Sequence, residues 1–125
     1  MNLQPSSCVK HRAAELLGRK AEEAVALKLQ AEGYHVLAQR LRTGAGEIDL
    51  VVANDETLLF VEVKARNSMA EAAYAVAPRQ QARLLEAVSL ALALHEDWAR
   101  PAIRFDVALV CHGTIEQIED AIRYN

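Results

Sequence analysis

At 125 residues, with 52% apolar and 25% charged side chains, the chain suits one domain with a real core and is neither disordered nor fibrous in composition. An aromatic share of 5% argues against a stacking platform for single-stranded nucleic acid, and a net charge of −3 removes any global attraction to phosphate. A role on nucleic acid would have to rest on a local basic patch.

No apolar run approaches bilayer length, and the start of the chain, Met1 to Ser7, lacks the basic-then-apolar pattern of a secretory signal. A cytoplasmic location is expected. Cys8 and Cys111 match no close metal-ligand pair and are expected as reduced thiols.

Ser6 and Ser7 can cap a helix running to about Glu32, on which Ala14, Leu17, Ala21, Val25 and Leu29 form one apolar stripe. Gly33 stops it, and Glu22 lies at the stripe's edge. Tyr34 to Leu41 reads as a strand with Val36 and Ala38 on one face and His35, Leu37 and Gln39 on the other. Arg40 and Arg42 end it, and Thr43-Gly44-Ala45-Gly46 reads as a flexible link.

A second strand covers roughly Glu47 to Ala53, and Asn54-Asp55-Glu56-Thr57 supplies hairpin-turn chemistry. A third strand, Leu58 to Ala65, should therefore lie antiparallel to the second. Asn67 to Ala77 lacks a firm period and reads as a mobile loop with one helical turn. Pro78 suits the first position of a second helix, carried by Leu84, Leu85, Val88 and Leu92 to about Glu96. After Pro101, Ile103 to Cys111 reads as a fourth strand with Phe105, Val107 and Leu109 on one face. Gly113 breaks it, leaving Ile115 to Tyr124 as either a strand or a helix. This order points to a single layered α/β domain over residues 1–125, the first eight forming a lead.

The chemistry lies in the second and third strands. Strict alternation places Glu47, Asp49 and Val51 on one face, opposite Ile48, Leu50 and Val52. It also places Leu58, Phe60, Glu62 and Lys64 together, opposite Leu59, Val61, Val63 and Ala65. Asp49 and Glu62 on one face of adjacent strands would give a hard, oxygen-rich site for Mg²⁺ or Mn²⁺. Lys64 could orient water or stabilise charge on a phosphate, which suits metal-assisted hydrolysis of a phosphodiester. A solvated ion-pair ladder is the plainer alternative, worth about 0.2–1 kcal/mol per cross-strand pair. Leu58 and Phe60 on the face of Glu62 count against it.

The helix Glu22, then Gly46-Glu47-Ile48-Asp49-Leu50, then Val61-Glu62-Val63-Lys64-Ala65-Arg66, together resemble the YraN family of small bacterial proteins. The resemblance runs from about Gly18 to Val110 and includes Arg104-Phe105-Asp106-Val107. It implies a restriction-endonuclease-like fold, a mixed central sheet flanked by helices, similar to that of archaeal Holliday junction resolvases. It makes Asp49 and Glu62 metal ligands, Lys64 the catalytic lysine and Glu22 a helix carboxylate that completes the metal site. Glu47 receives no role. Gln80 stands where relatives often carry lysine, and the loop after Arg66 lacks their usual Phe-Gly.

Arg40, Arg42 and Arg66 flank these residues as candidate phosphate contacts, with Arg79 and Arg83 on the second helix. Asp106 reads as a structural carboxylate bonded to backbone or to an arginine. His11, His35, His95 and His112 have no ligand-like spacing, and Trp98 reads as a cap on the core. The expectation is a divalent-metal-dependent nuclease acting on DNA, including branched DNA, and able to work as a homodimer. The alternative is a non-catalytic nucleic-acid-binding or accessory protein that keeps the fold.

Overall fold

Apolar stripes at helical spacing and apolar runs at strand spacing assemble here into three layers. The computed structural model describes residues 7–66 and 78–122, with side chains for 17–66 and 80–122. In chain order these are α1 (Ser7–Ala31), β1 (His35–Thr43), β2 (Gly46–Ala53), β3 (Thr57–Ala65), α2 (Pro78–Leu94), a 3₁₀ turn (Glu96–Trp98), β4 (Ala102–Cys111) and β5 (Thr114–Ile118). The predicted loop from Asn67 to Ala77, the Ser6 cap and the side chains of Ala14 and Arg79 lie outside the described residues.

The five strands form one sheet in the order β1-β2-β3-β4-β5, antiparallel except where β4 runs parallel beside β3. The mixed sheet is compatible with a restriction-endonuclease-like fold. Its parallel pair requires a crossover, and α2 lies within it.

Among the described residues, each face of the sheet is covered by one helix. Ala21, Val25, Ala26 and Leu29 of α1 pack on Leu50, Val52, Leu59, Val61, Ala108 and Val110. Leu84, Ala87, Val88 and Ala91 of α2 pack on the other face, against Val51, Leu58, Phe60, Phe105 and Val107. Phe60 is fully buried and stacks on Phe105 with ring centroids 6.3 Å apart. Truncating such a ring costs about 3–5 kcal/mol, so this core holds β3 rigidly under whatever its far end carries. Trp98 is buried in the same cluster, as its predicted capping role requires.

Several local expectations change. Leu17, predicted on the buried stripe, is 45% exposed, because among described residues α1 meets the sheet from Ala21 onward. The predicted flexible link is a tight hairpin turn: the Thr43 hydroxyl accepts from the Ala45 and Gly46 amides and donates to the Gly46 carbonyl at 2.7 Å. Arg40 and Arg42 accordingly lie within β1. The segment after Gly113, open between strand and helix from sequence, begins with an edge strand, β5, joined to β4 through His112 and Gly113, both with positive φ.

The largest correction concerns alternation. Ile48 packs on the α2 side and Leu50 on the α1 side, although strict alternation would place both together. The reversal falls at Asp49. Across the ladder it falls at Arg40, whose φ is 51°, between the pairs Leu41–Ile48 and Gln39–Leu50. A second irregularity between Val36 and Ala38 puts Leu37 and Ala38 on the same side. A bulge of this kind re-aims the side chain beside it.

Candidate functional site

The candidate site lies where β2 and β3 part. Their ladder ends at the pair Leu50–Val61, while β3 stays paired with β4 as far as Ala65–Val110. Beyond Val61 the edge of β3 that faces β2 lacks the backbone ladder. Asp49 fills part of that opening: its Oδ2 accepts the Val63 amide at 2.8 Å. The reversal at Asp49 thus turns its carboxylate into the cleft between the strands.

Glu62 follows Leu58 and Phe60 on the α2 side of β3 and is only 5% exposed. A buried carboxylate is costly unless paired. Lys64 Nζ, two residues along the same face, lies 3.0 Å from Glu62 Oε1, and the Gln80 amide nitrogen donates to that same oxygen at 3.1 Å. Among its described partners, β3 therefore supplies both the carboxylate and its cation, and α2 supplies a neutral donor that fixes the carboxylate's direction.

Gln80 was expected only as a departure from related sequences, and its contact with Glu62 was missed. A signal existed in the sequence. Gln80 precedes Leu84, Ala87, Val88 and Ala91 at steps of four and three, so a polar residue occupies the inward stripe of α2.

Asp49 and Glu62 face each other closely enough for their carboxyl groups to share a hydrogen bond. Burial first, and then the Glu62 charge, push Asp49 up to about 7, while the Val63 amide pulls it down and Glu22 adds a further upward push. Two crowded carboxyl groups in a half-dry cleft are stabilised by a proton or by a cation between them. Their hard oxygen donors fit Mg²⁺ or Mn²⁺, with water filling the remaining positions. Among the described residues, no three His, Cys, Asp or Glu side chains gather closely enough to hold an ion together. Asp49 and Glu62 are thus the pair the fold assembles.

Glu22 comes near this pair from α1, but Arg40 Nε lies 2.9 Å from its Oε2. Glu47, on the far side of the reversal, is exposed and sits 3.7 Å from Arg42. Arg42 itself is 89% exposed. Arg66 is exposed at the end of β3 and donates to the Ala65 carbonyl at 2.7 Å. Arg83 lies exposed on α2.

Asp106 is a buried structural carboxylate, as the sequence reading expected. Arg104 holds both its oxygens at 2.8 and 2.9 Å, and the Gln117 amide and the Asp120 backbone N–H complete its shell. Asp106 pairs in register with Val61, on the face that α1 covers, away from Glu62. The predicted choice between backbone and arginine as its partner is answered by both.

Fold and site together define an α/β protein with an acidic pair and a lysine in a cleft between splitting strands. The sequence pattern of the Uncharacterised protein family UPF0102 matches residues 21–110, and the chain belongs to that family, which is the YraN family. It is 54% identical over 112 residues to a UPF0102 protein of Acidiphilium cryptum, covering 90% of this chain and 88% of that one. A UPF0102 protein of Granulibacter bethesdensis is 45% identical over 85% of this chain and 68% of its own. One of Rhodopseudomonas palustris is 45% identical over 82% and 78%. No described helix is long and apolar enough to cross a membrane.

Proposed function

We propose that this protein is a divalent-metal-dependent nuclease that hydrolyses phosphodiester bonds in DNA, with branched or otherwise structured DNA as its substrate class. The observation that supports this reading is the Asp49–Glu62 pair with Lys64 held 3.0 Å from Glu62 in the opening between β2 and β3. Asp49 and Glu62 would hold Mg²⁺ or Mn²⁺. Such an ion, when bound, polarises the phosphate and makes its water a stronger nucleophile.

The protein's own groups then have distinct tasks. Lys64 orients the attacking water or balances the negative charge that develops on the phosphate. Gln80 keeps Glu62 turned toward Asp49. Water oxygen bonds to phosphorus and gives up a proton to solvent, one ester P–O bond breaks, and the leaving oxygen takes a proton from solvent. Arg40, Arg42 and Arg66 flank the cleft as candidate phosphate contacts, since forked guanidinium donors match phosphate oxygens. A substrate with two-fold symmetry would call for a homodimer, one copy per cut.

The second reading is a non-catalytic DNA-binding or accessory protein. It is favoured by the engagement of Glu22 with Arg40, which leaves two carboxylates rather than three at the cleft. Purified protein incubated with branched and linear DNA separates the two. Cleavage that requires Mg²⁺ or Mn²⁺ and disappears in Glu62→Ala supports the nuclease, whereas binding with no need for metal and no product supports the accessory role.

A further inference from the structure

Arg40 occupies a backbone conformation that suits it poorly. Its φ of 51° lies in the left-handed region, which strains a residue with a Cβ and costs glycine little. Strain of this kind persists where the surroundings impose it, and it marks positions with a task. The consequence of the strain is visible in the ladder. The reversal at Arg40 and Asp49 turns the arginine toward α1, where its Nε meets Glu22 Oε2 at 2.9 Å, and turns the aspartate toward Glu62.

Arg40 also interacts electrostatically with Glu47 and Asp49, although Glu22 is its principal partner. It thus stands at a carboxylate whose charge is felt by Asp49. Beside it is a groove of about 260 Å³ lined by Arg19, Glu22, Glu23, Gln39 and Arg40. The Glu22–Arg40 ion pair is only partly shielded, with side chains 21% and 41% exposed, so its partners can separate without a large penalty.

We infer that Arg40 is a positioning residue that holds Glu22 in reserve as a resident counter-cation, and that a divalent cation entering between Asp49 and Glu62 takes Glu22 from it. This rests on the reading of Asp49 and Glu62 as a metal pair. The exchange adds a third carboxylate to the ion. It also frees a guanidinium in the groove that Arg19 shares, where a phosphate would find two forked donors.

The test is Mn²⁺ binding to the purified protein without DNA, followed by electron paramagnetic resonance of the free ion. Arg40→Gly removes the cation and suits the left-handed backbone, so the fold is retained, while Arg40→Lys keeps the charge. The inference expects Arg40→Gly to bind Mn²⁺ roughly two- to fivefold more tightly than wild type, from the release of one part-exposed ion pair, and Arg40→Lys to bind as wild type. In a Glu22→Gln background the gain from Arg40→Gly should vanish. Unchanged or weaker binding by Arg40→Gly, or a gain that persists in Glu22→Gln, overturns the inference while the metal pair stands. Binding of Mn²⁺ that Asp49→Asn leaves intact, or no binding by wild type, overturns the metal pair and the inference with it.

Discussion

Asp49 Oδ2 accepts the backbone amide of Val63 at 2.8 Å, so a side chain does the work of a backbone carbonyl where β2 peels away from β3. Asp49 is therefore both a structural acceptor and half of the acidic pair. Asp49→Asn can keep the acceptor oxygen while removing the charge that crowds Glu62. We expect the variant to be more stable than wild type at pH 8 by on the order of 1 kcal/mol, after allowance for solvent screening, and to lose Mn²⁺ binding. Asp49→Ala, by contrast, leaves the Val63 amide unpaired at a cost of about 1–3 kcal/mol. Urea unfolding of the two variants checks the opposite signs.

The same residue gives the protein a pH dependence of definite sign. Asp49 titrates near 7 in the fold against 3.8 when free, so between those values the folded chain keeps a proton that the unfolded chain has lost. Its contribution to stability is full below pH ~4, is lost as pH rises toward about 7, and changes little above that. Wild-type urea midpoints should therefore fall across this window relative to those of Asp49→Asn. If Asp49 holds Mn²⁺ as proposed, the ion has to displace that proton, and its affinity should climb with pH to about 7 and then level off.

Gln80 acts through Glu62. Gln80→Ala leaves Lys64 as the described partner on Glu62 Oε1 and frees the carboxylate to turn. Outer partners of metal-binding carboxylates are worth about 10–100-fold in affinity or activity, and a neutral donor belongs at the low end. We expect roughly a tenfold loss in both Mn²⁺ affinity and cleavage rate, with stability changed by less than about 1 kcal/mol. Isothermal titration with Mn²⁺ beside a thermal melt checks both halves.

Asp106 should behave in the opposite way. Its charge is buried and held by Arg104, so Arg104→Ala leaves it, among the described residues, with the Gln117 and Asp120 donors. Breaking a buried pair costs about 3–5 kcal/mol. The variant should unfold at much lower urea, while the protein that remains folded cleaves DNA at the wild-type rate, because Asp106 lies on the α1 face.

The course of the chain was legible where burial repeats with a period. Val25 and Leu29 announce α1, Leu84 and Val88 announce α2, and the run from Leu58 to Val63 announces β3, because each must place one side against a core. Glu62 and Lys64 on one face followed from the same rule. Asp49 reached the cleft by a different route, since the alternation that was to put it there breaks at Asp49 itself. That break lies opposite Arg40, whose positive φ propensity does not forecast for an arginine. Gln80 was hidden for another reason: its contact joins residues 18 positions apart through a crossover, and no local pattern encodes the distance. β5 escaped assignment because an edge strand of 5 residues buries too little to carry a firm period.

The most direct measurement is metal-dependent cleavage of a branched DNA by purified protein, comparing wild type with Glu62→Ala under Mn²⁺ and under chelator. Wild type should yield product only with the ion, and Glu62→Ala none above the chelator background. Equal cleavage by both proteins, or no product from wild type at any Mn²⁺ concentration, would contradict a nuclease site built on Asp49 and Glu62.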